Sequence, residues 1–101
     1  MSDLRFPSMS RTESLVMDLL GDRDRYGLEL VEASSGALKR GSVYVILARM
    51  EEKGFITSRL EEAPPEAGGL PRRLYEPTAF GRRVLSAYEH VVRHLTPEPA
   101  R

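Results

Sequence analysis

The residues best suited to chemistry gather between Ala37 and Gly54, in the stretch ALKRGSVYVILARMEEKG. Lys39, Arg40 and Arg49 can neutralise phosphate charge, and the Ser42 and Tyr44 hydroxyls can donate to phosphate oxygens. The free N–H groups at a helix start add to such a site. Bases beside a helix N-terminus are electrostatically unfavourable, so two of them there, Lys39 and Arg40, point to an anionic partner. Val45 and Ala48 are small apolar residues of the kind that meet a thymine methyl in the major groove.

A second basic pair, Arg72 and Arg73, follows a Pro- and Gly-rich stretch, and successive strand residues point to opposite faces. One of the pair is then expected to face a duplex and the other to cap a sheet. His90 and His94 stand at i, i+4, a spacing able to hold a metal, but with no cysteine in the chain and no third ligand nearby no metal site is expected. Histidines also suit a helix C-terminus. No carboxylate is spaced with a His, Ser or Lys for acid–base or nucleophilic work. Neither an enzyme nor a cofactor is expected.

Composition sets the frame for these residues. A chain of 101 residues makes one domain with one modest core. Its 41% hydrophobic and 30% charged residues describe a folded, soluble chain. No leader-like apolar run and no membrane span is found, so the expected location is the cytoplasm. Net charge is zero, which argues against indiscriminate coating of nucleic acid, yet the charge is sorted by segment. Lys39, Arg40 and Arg49 are the only charges from Ala37 to Met50; Arg72, Arg73, Arg82 and Arg83 face only Glu76 from Leu70 to Arg83; glutamates dominate between.

The elements that must position these residues follow from periodicity. Residues 1–9 read as a tail or arm. Ser10 begins SRTE, a capping box, and a first helix runs from about Arg11 to Leu20 with Leu15, Val16, Leu19 and Leu20 as its stripe, stopped by Gly21. YGLELVEASSG reads as a short second helix holding Tyr26, Leu30, Val31 and Ser34 on one side and ending at Gly36. Gly27 within it costs about 1 kcal/mol relative to alanine, which suggests close approach of a neighbouring backbone. The third helix carries Val43, Ile46, Leu47 and Met50 toward the core, with Ser42 as its expected N-cap and Gly54 just past its end. FITSRLEE and RRLYEP then read as a hairpin with a long tip, and Thr78 caps a last helix whose stripe is Phe80, Val84, Tyr88, Val91 and Leu95, widened by Leu85 and Val92.

Three helices, a hairpin and a final helix make a mainly α, α+β chain of winged helix-turn-helix plan, in which the third helix enters the major groove. The expected division is a DNA-binding unit over 10–77, a C-terminal dimerisation helix over 78–96 and a tail over 97–101. The excess apolar stripe predicts a dimer seam formed by Leu15, Leu19, Leu85, Tyr88, Val91, Val92 and Leu95. Two-fold operators call for two-fold proteins.

The blocks RYGLEL, GALKRGSVYVILARMEEKGFI and RRLYEPTAFGRRVL resemble the PadR-type transcriptional regulators over most of residues 12 to 86. The resemblance implies that Tyr26, Gly27, Glu29 and Leu30 belong to the second helix. It implies that Gly41, Ser42, Tyr44, Leu47, Arg49, Met50 and Glu51 form the recognition-helix signature, and Tyr75, Thr78 and Gly81 the turn into the last helix. Leu28 stands for the family's usual aromatic, Ser42 for its threonine and Val45 for a common proline. It further implies a homodimer, usually a repressor, with some members releasing DNA on binding small aromatic or drug-like molecules near the dimer interface; the chain resembles the short type with one C-terminal helix, which limits the room for such a pocket. The residues expected to meet double-stranded DNA are thus Tyr26, Lys39, Arg40, Ser42, Tyr44, Val45, Arg49, Arg72 and Arg73. A second reading makes the chain an adaptor whose basic face meets an acidic protein partner; preference for one duplex sequence would separate the two.

Overall fold

The computed structural model describes residues 8–21, 23–62 and 71–95. Residues 1–7 of the expected arm, most of the hairpin tip and the tail from 97 lie outside the described residues. Helix α1 (Arg11–Leu20) opens on the capping box read from the sequence: Ser10 Oγ accepts the Glu13 amide at 3.0 Å, and Glu13 Oε1 accepts the Ser10 amide at 2.9 Å. Gly21, at φ 50, ends it.

The next element corrects the sequence reading. Tyr26 is not on the second helix; with Arg25 it forms a short strand, β1 (Arg25–Tyr26), and α2 (Gly27–Ala33) begins one residue later. The reason is local. Tyr26 is extended, with ψ 158, so that the Glu29 carboxylate caps its amide at 2.8 Å. A strand of two residues has no periodicity from which to be read. Beyond α2, Ser34 Oγ accepts the Leu38 amide at 2.9 Å and so draws Leu38 into the core.

Helix α3 (Arg40–Glu52) also starts earlier than expected, because Lys39 rather than Ser42 is its N-cap. The Lys39 carbonyl already accepts the Val43 amide at 2.9 Å, which closes the first turn ahead of Ser42 and leaves that hydroxyl on the helix surface. Lys39 makes no side-chain cap bond at this end. Gly54, at φ 82, follows the helix as expected.

Strands β2 (Ile56–Glu61) and β3 (Arg72–Pro77) form the antiparallel wing, from Ile56 opposite Pro77 to Glu61 opposite Arg72. β1 adds to the far edge of β3, giving the order β1-β3-β2. Helix α4 (Ala79–Leu95) starts at Thr78, whose hydroxyl accepts the Gly81 amide at 2.9 Å and donates to the Gly54 carbonyl at 2.6 Å. The core is one cluster drawn from every helix and both wing strands: Val16, Leu20, Leu30, Leu38, Val43, Leu47, Met50, Phe55, Ile56, Tyr75 and Val84 are all buried. Each large side chain there contributes about 1.5–3 kcal/mol of burial.

Candidate nucleic-acid interface

Burial of Val43, Leu47 and Met50 fixes the rotation of α3 about its axis. At 3.6 residues per turn the opposite side must carry Gly41, Ser42, Val45, Ala48 and Arg49, and all five are exposed. Val45 stands at the centre of that side and is 58% exposed. No carboxylate shares it before Glu52, so the first three turns present a small, acid-free surface flanked by Lys39 and Arg40. Such a surface admits close approach of an anionic, groove-shaped partner.

Tyr44 leans out of this face toward α2. Its ring lies on Gly27, where a Cβ would stand 2.6 Å from Tyr44 Cε1. The close approach that Gly27 suggested is therefore by a side chain and not by a backbone. Beside it, the Tyr26 hydroxyl donates to the Glu61 carboxylate, joining β1 to the end of the wing.

The wing arginines part as strand alternation requires. Arg73 Nη1 donates to Ser58 Oγ at 2.9 Å, and the Ser58 hydroxyl donates to Glu51 at 2.8 Å, a relay that ties the wing to the last turn of α3. Arg72 lies instead over the Tyr26 ring, its guanidinium carbon 4.2 Å from the ring centroid. Arg59 faces three carboxylates, Asp24, Glu61 and Glu76, at 3.3 to 3.7 Å on the outer side of the sheet. Both arginines expected in the wing are thus at its exposed end, one braced by Ser58 and one by an aromatic face.

Two tyrosines titrate above their ordinary range. Tyr26 is raised by its hydrogen bond to Glu61, with burial and the Glu61 charge adding to this and Arg72 opposing it. Tyr75 is raised first by burial.

Sequence reasoning missed one ion pair that organises this side of the molecule. Lys53 Nζ reaches both oxygens of the buried Glu13, at 3.0 and 2.9 Å, and the Ser8 carbonyl at 3.3 Å. Glu13 is legible only as a cap, since nothing local pairs it with a residue forty positions away. The pair brings the start of α1 to the side of α3, where Ser10, Thr12, Ile46 and Arg49 border a shallow hollow. Leu28, which stands where the family usually has an aromatic, and Leu60 are exposed on either side of a cleft between α2 and the wing.

The residues expected to form a dimer seam fall into two groups. Leu15, Leu19, Leu85 and Tyr88 are half-buried and pack against their own core, while Val91, Val92 and Leu95 are exposed beyond it, Leu95 by 76%. On the other side of α4, the His90 and His94 rings lie 4.0 Å apart and His94 Nδ1 donates to the His90 carbonyl at 2.8 Å. Among the described residues no group of three metal-capable side chains forms, and no helix is long and apolar enough to cross a membrane.

The model of the transcriptional regulator PadR-like family matches residues 16–87, from the middle of α1 through the first half of α4. The chain belongs to the PadR-like family of transcriptional regulators. Solved structures agree. A PadR family transcription regulator from Clostridium difficile is 29% identical, with a TM-score of 0.69 over 85% of this chain and 91% of that one. A PadR family transcriptional regulator from Eggerthella lenta is also 29% identical, with a TM-score of 0.70 over 81% of this chain and 71% of that one. A PadR-like transcription factor from Bacteroides fragilis, 21% identical at a TM-score of 0.70 over 81% of this chain and 80% of that one, shares the fold. No curated protein matched the chain.

Within this PadR-like chain the residues of the three sequence blocks meet at two places. Gly27 and Tyr44 touch at the edge of α3, and Thr78 and Gly81 close on Phe55 where the wing passes into α4. Tyr75, of the same blocks, is buried in the core. The family signature therefore marks joints of the fold as well as an exposed surface.

Proposed function

We propose that this PadR-like regulator acts as a homodimer on an inverted-repeat operator and represses by competing with polymerase for the promoter in the cytoplasm. The observation that carries the proposal is the acid-free exposed face of α3, with Val45 and Ala48 at its centre and Arg40, Ser42 and Arg49 about them. Arg49, Ser42 and Val45 face base edges; Lys39, Arg40, Tyr44 and Tyr26 hold the backbone; Arg72 and Arg73 extend the contact through the wing. The exposed end of α4 supports the second copy, since Val91 and Leu95 lie beyond the monomer's own core. Two copies set half-sites about 34 Å apart. A small-molecule effector that relieves binding completes this reading.

Selection of bound duplexes from a random pool by the purified protein tests it. An enriched two-fold motif, bound far more tightly than scrambled duplex and with a steep loss of affinity in salt, is the expected result. A folded dimer that enriches nothing would instead favour an adaptor whose basic face meets an acidic protein.

A further inference from the structure

We infer that Ser58, which is not among the residues assigned to DNA above, is a positioning residue for DNA binding: its hydroxyl holds Arg73 beside α3, charged and free to meet the duplex backbone. The inference rests on the DNA-binding reading. Its basis is the direction of two hydrogen bonds. A serine hydroxyl has one proton, an ionised carboxylate only accepts and a guanidinium only donates. The Ser58 proton is therefore committed to Glu51, at 2.8 Å, and its lone pairs are left to accept Arg73 Nη1, at 2.9 Å. The order Arg73 to Ser58 to Glu51 cannot reverse while both ends keep their charge.

The relay sets Arg73 on the side of the wing that a duplex would meet. Ser58 and Leu60 share one face of β2 and pair with Tyr75 and Arg73 of β3. Burial is what most raises the Tyr75 pKa, but Arg73 lowers it and Glu51 raises it further, so the three groups are neighbours. Tyr44 and Glu51 stand seven residues apart on one flank of α3, and Tyr44 lines the same cleft as Arg73. A helix about 10–12 Å across fills a major groove about 12 Å wide. Groups on the flank of α3 then meet the phosphate wall of the groove, and Arg73 is such a group.

A neutral hydroxyl suits this place better than a carboxylate. Paired directly with Glu51, the guanidinium would meet its counter-charge inside the protein, as Arg59 does with Asp24, Glu61 and Glu76. Left without a partner, it would lose side-chain entropy on being ordered by DNA. Among the described residues Ser58 is the one hydrogen-bond partner of the Arg73 side chain. The remaining donors of the guanidinium fork are available to a phosphate.

The test titrates the full chain against a selected duplex by fluorescence anisotropy over a range of salt. Ser58→Ala, Ser58→Thr, Arg73→Gln and the double variant Ser58→Ala with Arg73→Gln are compared with wild type. Circular dichroism checks each fold, and Ser58→Cys, which keeps the shape but is a weak acceptor, replaces the alanine variant if that unfolds. The expected result is about tenfold weaker binding in Ser58→Ala, the scale of one charge-assisted contact, with a salt slope lower by about one ion. Ser58→Thr keeps the hydroxyl and should restore wild-type affinity, and Ser58→Ala should add nothing once Arg73 is already glutamine. A serine that only stabilised the wing would cost the same in both backgrounds, and that result overturns the inference. So does unchanged affinity in Ser58→Ala. Both outcomes leave the DNA-binding reading standing, whereas a wild type that binds no duplex removes that reading and the role of Ser58 with it.

Discussion

The Tyr44 ring rests on the backbone of Gly27: a Cβ there would meet Cε1 at 2.6 Å, Cζ at 2.8 Å and the hydroxyl oxygen at 2.9 Å. The atoms in the way belong to the free end of a side chain, so Gly27→Ala displaces the ring without breaking the fold. Alanine is also the better helix former by up to about 1 kcal/mol. The expected outcome is a thermal midpoint at or above that of wild type together with weaker binding of a selected duplex, as in Tyr44→Ala. Full affinity in Gly27→Ala would mean that the position of Tyr44 is immaterial to DNA.

Arg49 stands at the edge of the exposed face of α3, beside the start of α1. If its guanidinium pairs with a guanine, Arg49→Ala loses about 1–3 kcal/mol on the selected duplex and relaxes the preference at one base position. Titration against selected and random duplexes measures the difference. Equal losses on both would assign Arg49 to a phosphate.

Gly81 carries a different kind of constraint. A Cβ at this position would lie 2.1 Å from the Phe55 carbonyl oxygen, and backbone cannot swing aside as a ring can. Thr78 binds the same carbonyl and the same helix start, so the joint between wing and α4 has no slack. Gly81→Ala should cost at least about 3 kcal/mol in denaturant unfolding. A loss within about 0.5 kcal/mol, the scale of an ordinary surface change, would show that α4 can lift away from Phe55.

The elements with strong periodicity are legible in the residues alone. The α1 capping box, the apolar stripes of α1, α3 and α4, and the wing strands all lie where their patterns put them. What escapes has a physical reason in each case. β1 is too short to show a period, and its hydrogen bonds to β3 come from residues nearly fifty positions on. Ser42 has the chemistry of an N-cap, but the helix closes on the Lys39 carbonyl first. The exposed face of α3 can be read because burial of Val43, Leu47 and Met50 leaves only one orientation. The Lys53–Glu13 pair, the Ser58 relay and the cleft cannot, since each depends on how separate elements dock.

Alkaline pH tests the tyrosine contacts. Tyr26 and Tyr75 both have folded pKa values above the ordinary tyrosine value, through the Glu61 hydrogen bond and through burial respectively. The folded state then holds their protons more tightly than the unfolded state. Their contribution is complete below pH about 10 and is lost as pH rises through the raised values. Tyr26→Phe should flatten part of the fall in melting temperature above pH about 10 and leave the profile near neutrality parallel to wild type. An unaltered alkaline slope would show that the Tyr26–Glu61 bond does not persist in solution.

The end of α4 decides whether the regulator works as a pair. Leu85 and Tyr88 already pack against the monomer's core, but Val91 and Leu95 do not, being 50% and 76% exposed. Apolar groups that a monomer leaves in water are stabilised by about 25 cal/mol for each Å² that a second copy covers. Val91→Glu with Leu95→Glu puts charge into the proposed seam without touching the core. The expected result in sedimentation equilibrium is a dimer for wild type and a monomer for the double variant, with the helical circular dichroism largely retained. Affinity for a two-half-site duplex should fall steeply, whereas the weak affinity for a single half-site should stay. A variant that remains dimeric would place the seam on another face, and a wild-type monomer would remove the geometric basis for an inverted-repeat operator.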